Sequence, residues 1–173
     1  MPGQPRTVLS PNTPTSWIFD RLREHQPLLD LLGTGPLESG GQSFTFAPIH
    51  KAGQLPPLLS DRYVVVRPPL RHITDYYVDL APRRMESTYL VWGETRSDKL
   101  PVGLGFDDVL GPIFREIARA LLGSSIPIEE PDALDGRVLQ LAIIGAYTPQ
   151  PATLTGTTKV AQMGHQLELL STT

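Results

Sequence analysis

His25, His50, His72 and His165 are the side chains best suited to hold a metal or move a proton near neutral pH. No two of them are three or four residues apart, the spacing that sets two imidazoles on one helix face. His165 falls on the apolar side of an alternating stretch and reads as a core or interface histidine. His25 lies at the exposed end of a helical stretch and reads as solvated. The chain has no cysteine. That removes disulfides, thiolate zinc sites, iron–sulfur clusters and cysteine nucleophiles together, and it fits assembly in a reducing compartment. There is no Gly-x-Ser-x-Gly elbow, and nothing specific marks a Ser-His-Asp triad.

Gly103-Leu104-Gly105 precedes a strong helical pattern and invites comparison with a phosphate-binding loop. The position of a third glycine holds Asp108, whose carboxylate would repel phosphate, and no Walker Lys-Ser/Thr follows. Asp107 with Asp108, and Glu129 with Glu130 and Asp132, are the acidic clusters, of the kind that can bind a metal or do acid–base work. The first pair reads as helix-start residues and the second as a solvated, proline-flanked loop. Arg67, Arg71, Arg83 and Arg84 are the one basic concentration, interleaved with Tyr76 and Tyr77 as a nucleic-acid stacking surface would be. Asp75 and Asp79 lie among them and weaken that field. The expectation is a protein with no catalytic residue, cofactor or metal.

The elements that would position these residues are constrained by composition. Proline reaches 18 of 173 residues, about twice its usual share of ~5%, and with 15 glycines it excludes long helices over much of the chain. Charged residues are 19%, and the net charge is −3, so the chain as a whole lacks the basic footprint of a dedicated nucleic-acid binder. No apolar run approaches the ~20 residues of a membrane span. Pro2, Pro5, Pro11 and Pro14 stand where a signal peptide needs its apolar core, so export by that route is not expected.

Residues 1–15 read as an extended proline-rich arm and 16–173 as one α+β domain. A helix begins at Thr15 or Ser16, is kinked or ended by Pro27, and stops at Gly33. Gly33–Gly41 and Lys51–Pro57 read as loops, and Ser43–Phe46 as a short strand. Arg62–Arg67 is a β-branched strand terminated by Pro68 and Pro69, and Tyr76–Leu80 a further short one. Met85–Glu94 is a strand with apolar groups on both faces: Met85, Ser87, Tyr89 and Val91 on one, Thr88, Leu90 and Trp92 on the other. Such a strand is buried on both sides or meets a partner. From Asp107 to Leu122, two adjacent apolar rows make one broad helical stripe, with Pro112 close enough to the start to be tolerated. Val138–Tyr147 and Val160–Leu170 form a closing antiparallel hairpin across the loop Pro149–Lys159. The class is therefore α+β, a mainly antiparallel sheet with two helices packed on one side and a C-terminal β-hairpin.

This order resembles the tail terminator (tail-completion) proteins of long-tailed bacteriophages. The resemblance covers Trp17 to Leu170. It lies in the N-terminal helix Trp17-Ile18-Phe19-Asp20-Arg21-Leu22 leading to Leu28-Leu29-Asp30-Leu31-Leu32-Gly33, in Leu55-Pro56-Pro57 before Tyr63-Val64-Val65-Val66, in Ser87-Thr88-Tyr89-Leu90-Val91-Trp92-Gly93, in the helix ending Ile117-Ala118-Arg119-Ala120-Leu121-Leu122, and in the hairpin. It is a pattern of element order and apolar character, and the proline arm and the loop from Asp98 to Gly105 are longer than the pattern asks for. The resemblance implies a virion protein, assembled in the host cytoplasm. It would form a homohexameric ring that ends tube growth and joins tail to head. Its partners would be itself, the tail tube protein and head-completion proteins. DNA would pass the channel without specific binding, and no membrane would be involved. The neighbouring alternative is a head-completion or adaptor protein, or another neck protein of the head–tail connector. Tyr89, Leu90 and Trp92 are candidate subunit contacts. The loops carrying Glu129, Glu130 and Asp132, and Pro149 and Thr155, are candidates for axial partners.

Overall fold

The computed structural model describes residues 13–33, 36–39, 42–45, 48–56, 59–76, 82–123, 138 and 140–171. Helix α1 spans Thr13–Glu24 and α2 spans Gln26–Leu32. The helix starts before the expected Thr15 or Ser16, because Pro14 falls in the first turn, where a missing N–H removes no intrahelical bond. The rest of the expected arm, residues 1–12, lies outside the described residues. The expected interruption at Pro27 is a full break at His25, whose backbone is extended, and Pro27 sits in the first turn of α2. Gly33, at φ 75°, ends α2, with its N–H on the Leu29 carbonyl. Trp17, Ile18, Leu22, Leu28 and Leu32 are all buried.

Two strands appear where none was expected, the first inside the stretch Gly33–Gly41 read as a loop. Strand β1, Pro36–Ser39, pairs antiparallel with β2, Gln42–Thr45, as a separate two-stranded sheet. Ser39 is opposite Gln42, so Gly40-Gly41 is the whole connection, a hairpin signal inside the stretch read as a loop. Strand β3, Ile49–Lys51, lies parallel to β4, Arg62–Tyr76, through Val64–Val66. The pairing is extended by Val64 N–H to the Pro48 carbonyl at 2.8 Å and Ala52 N–H to the Val66 carbonyl at 2.9 Å.

Pro68 and Pro69 do not end β4. Beyond Val66 no described residue pairs with the β3 side of the strand, where a proline forfeits no ladder bond. The strand therefore runs on, with a register shift between Arg67 and Arg71 against β5, Pro82–Arg96. Tyr76, expected to open a new strand, is the end of β4, and residues 77–80 lie outside the described residues.

Helix α3, Phe106–Leu122, follows a short 3-10 turn at Ser97–Lys99. Asp108 accepts the Gly105 N–H at 2.8 Å and so caps the start. Pro112 lies in the second turn, deeper than expected. The bond it cannot make would go to the carbonyl of Asp108, which is exposed to water. Strands β6, Gln140–Tyr147, and β8, Thr158–Ser171, form the expected antiparallel pair. The connection between them carries a third strand, β7, Ala152–Thr155, also on β8. The six-stranded sheet runs β3-β4-β5-β8-β6, with β7 beside β8, and among the described strands only the β3–β4 pair is parallel. The three described helices cover one face, and the class is α+β.

Buried Val109, Leu110, Ile113, Ile117 and Leu121 of α3 meet Val64, Val66, Tyr89, Val91, Leu167 and Leu169 of the sheet. The closest approach is at Gly93: an added Cβ there would stand 2.6 Å from Ile113 Cγ2. His165 stacks on Phe114 with ring centroids 3.8 Å apart and donates from Nε2 to the Phe114 carbonyl at 2.8 Å. It is a core histidine, and burial lowers its pKa against the opposing effect of that hydrogen bond. His25 is only partly exposed, and its Nε2 lies 2.7 Å from Glu116 Oε2, which ties the α1–α2 break to α3. The carboxyl of Glu116 is pushed up by partial burial but held below its usual range by hydrogen bonds from His25 and Arg119.

Two outcomes are expected from this packing. Gly93→Ala forces Ile113 away from the sheet and should cost about 1–3 kcal/mol in urea unfolding; a neutral result would mean that α3 is not seated at this distance. The second concerns pH. Burial lowers both His50 and His165 from 6.5, with Arg23 also lowering His50. The unfolded chain therefore takes up protons on these residues before the folded one does, so stability is fully present above about pH 6.5 and falls as pH drops below it. Unfolding midpoints measured from pH 7.5 to 5.5 should decline, and His165→Gln, which keeps a donor but cannot charge, should flatten that decline. An unchanged slope in the variant would remove His165 as its source.

Candidate functional site

Residues directly opposite on antiparallel strands share a face, so the pairing of β4, β5, β8 and β6 lays out the face away from the helices in rows. One row is Tyr63, Glu94 and Gln162. The next is Val65, Trp92, Gly164 and Tyr147. Gly164 is opposite both aromatic residues, and its missing side chain lets the rings of Trp92 and Tyr147 meet at 5.3 Å between centroids. A Cβ at Gly164 would collide with the backbone of Val91 and Trp92.

The first row is built around a carboxylate. Glu94 is only 8% exposed. Its Oε1 accepts the Tyr63 hydroxyl, and its Oε2 accepts Trp92 Nε1 at 3.0 Å and Gln162 Nε2 at 2.8 Å. Tyr147 donates to Gln162 Oε1 at 3.0 Å and closes the chain of contacts. Burial, and then the bond to Glu94, push the Tyr63 phenol well above its ordinary value, so it stays protonated as a donor. Three donors converge on this carboxylate and no metal-ligand set surrounds it. Its role is to order the face, as buried networks do when fully satisfied. The sequence reading missed it. The available signal was a glutamate in phase with Leu90 and Trp92 on an apolar strand face.

From this closed end the face opens along the sheet. Thr88 and Glu86 are half-buried, and Glu168 and Gln140 are exposed. A shallow groove of about 80 Å³ is lined by Glu86, Gln140, Ala142, Glu168 and Leu170. A larger cleft of about 590 Å³ lies between the start of α3, with Asp107 and Asp108, and the exposed segment Thr148–Pro151. Asp108 is occupied in capping Gly105, so this loop presents a carboxylate where a phosphate loop presents N–H groups. Among the described residues, no group of three His, Asp or Glu side chains could hold a metal ion, and no helix is long and apolar enough to cross a membrane.

The candidate subunit contacts divide between the two faces. Tyr89 is fully buried under the helices, its hydroxyl 2.9 Å from Thr15 Oγ1. Leu90 and Trp92, each 7% exposed, pack with Tyr63 and Val65 on the other face. The two-sided apolar character of β5 is thus accounted for within one chain. Glu129, Glu130 and Asp132 lie outside the described residues. Pro149 and Thr155 are exposed beside β7. Of the basic concentration, Arg67 is exposed, and the register sets Asp75 directly opposite Arg84. Residues 77 and 79 are outside the described set.

The outer edge of the sheet is the feature that the sequence reading passed over. Strand β6, Gln140-Leu-Ala-Ile-Ile-Gly-Ala-Tyr147, and strand β7, Ala152-Thr-Leu-Thr155, contain no charged residue and no proline. The pairing of each with β8 shifts register once, between Ile143 and Gly145 and between Thr153 and Thr155. The residues inside those shifts, Ile144 and Leu154, are 49% and 56% exposed. Comparison of the whole chain with family models and with curated proteins gives no match.

Glu94→Ala would leave the Tyr63, Trp92 and Gln162 donors facing an empty, buried acceptor position. With about 1–3 kcal/mol for each unsatisfied group, the loss in urea unfolding should reach at least about 3 kcal/mol, and Tyr63→Phe should lose less. Equal stability of Glu94→Ala and wild type would show that these bonds do not hold the face together.

Proposed function

We propose that this chain is a structural subunit of a phage neck, forming a homohexameric ring at the head-proximal end of the tail tube, where it ends tube growth and joins tail to head. The observation that carries the reading is the uncharged β6–β7 edge with Ile144 and Leu154 turned outward. Unprotected edges pair with other chains, and a subunit joined to its neighbour through two different surfaces builds a ring where the rotation closes. The element order supports the same reading. A helical pair ending in Leu-Leu-Gly, a valine-rich strand, a two-faced strand, one long amphipathic helix and a closing hairpin are the features of the tail terminator resemblance. The polar groups fit a structural part, since Glu94, His25, His165 and Asp108 are each engaged in holding elements together. The net charge of −3 suits a channel that DNA crosses without sticking, because an acidic wall repels phosphate.

Light scattering of the protein alone and with purified tail-tube protein tests the proposal. Assembly into a ring of six, alone or on tubes, is the expected result. A chain that stays monomeric and ignores tubes would sink it. Binding to portal-side proteins in place of tubes would reassign the ring to the head-completion position.

A further inference from the structure

The two open sides of the main sheet are built differently. Beyond Val66, the β4 edge carries Pro68, Pro69, Arg67 and Arg71, which are devices that discourage strand addition. Strands β6 and β7 carry neither charge nor proline, the prolines of this side, Pro149 and Pro151, being confined to the connection between them, and the two strands expose an isoleucine and a leucine. The same chain also holds a strand pair without a place in that sheet: the β1–β2 ribbon, two strands of four residues each, is hydrogen-bonded to itself and not to the six-stranded sheet. A lone two-stranded ribbon is marginal in water and needs a third strand or a packed surface. Among the described residues, one molecule thus presents an edge lacking a strand and a ribbon lacking a sheet.

We propose that the β1–β2 ribbon of one copy adds to the β6–β7 edge of the next, by strand addition. The inference rests on the ring reading above and names its contact. It takes the heterologous form a ring requires, because ribbon and edge are different surfaces. Four-residue strands rise about 13 Å against about 27 Å for the eight residues of β6, so a ribbon covers half of β6 and leaves the other half to contacts at the Ile144 bulge.

Two variants block opposite halves of the contact. Ile144→Lys with Leu154→Lys places charges on the edge at positions already facing solvent. Replacing residues 36–45 by a glycine-serine linker removes the ribbon. Under the conditions in which wild type assembles, each variant alone should lose assembly. An equimolar mixture should give a heterodimer and stop there, since one partner keeps its ribbon and the other its edge. Circular dichroism and urea midpoints establish that both variants are folded. A second measurement avoids any destabilised variant: Ile144→Cys supplies the single thiol of a cysteine-free chain, and it should react with maleimide in dilute monomer and be protected after assembly. A mixture that stays monomeric, a variant that assembles like wild type, or a thiol equally reactive in both states would overturn the contact while leaving the ring standing. Wild type that never assembles, with or without tubes, would overturn both.

Discussion

The distance between α3 and the sheet is set where Ile113 lies against Gly93, and much of the molecule follows from that contact. With no side chain at Gly93, the stripe of α3 descends far enough for Ile113, Ile117 and Leu121 to be completely buried against Val91 and Leu167. The same descent brings Phe114 over His165, so an imidazole on β8 can reach a helix carbonyl. The α1–α2 pair then docks on a helix already seated, through Trp17, Ile18 and Leu28 in the shared core. Glu116 of α3 reaches His25 at the break, and Arg62 Nη1 of β4 reaches the Leu31 carbonyl near the end of α2. These polar ties sit at the rim of the apolar contact and fix orientation more than they add stability.

A second glycine does the corresponding work on the opposite face. Gly164 leaves room for Trp92 and Tyr147 to meet across it. Glu94 then draws in the donors of Tyr63, Trp92 and Gln162 from three adjacent strands. An apolar residue at that position would pack equally well in several registers. A carboxylate with three assigned donors is satisfied in one, because a slip of one residue would carry its partners to the other face. The strand β5 is thus held by shape on the helix side and by hydrogen bonds on the other. That explains how one chain can bury a strand on both faces while placing helices on only one.

What could be read from the residues follows the length over which a pattern repeats. The stripe of α3 recurs across four turns, and the alternation runs over residues 85–92 in β5 and 162–169 in β8; each element appears where expected, within a few positions. Short elements carry no such repeat. Strand β3 is three residues beside a proline, and its parallel pairing depends on Val64–Val66 rather than on anything local. The run from Arg62 reads as ending at Pro68 because proline removes a donor, and the sequence does not reveal that no described residue pairs with this side of the strand beyond Val66. His25 reads as exposed because Glu116, 91 residues away, is invisible to local pattern. The exposure of Ile144 and Leu154 is not legible in the sequence, because each sits at a register shift that only the pairing with β8 creates, and Leu154 falls within the stretch read as the loop Pro149–Lys159.

The bulges bear on why the open edge would take a ribbon rather than a copy of itself. Pairing β6 with β6 of a second chain would bring identical surfaces together about a two-fold axis and end at a dimer. It would also set two Ile144 bulges against each other, since each shift breaks the ladder and bends its strand. A short, separate ribbon avoids both consequences. It can lie along the regular half of β6 and abut the Ile144 bulge without having to pair across it, and it would leave its own chain's edge free for the next copy. Among the described residues the chain has one edge with prolines and arginines, one without them in its strands, and a ribbon outside the main sheet; under the proposed contact that asymmetry would propagate in a single direction, and the angle at which each ribbon meets its neighbour would set whether a ring closes.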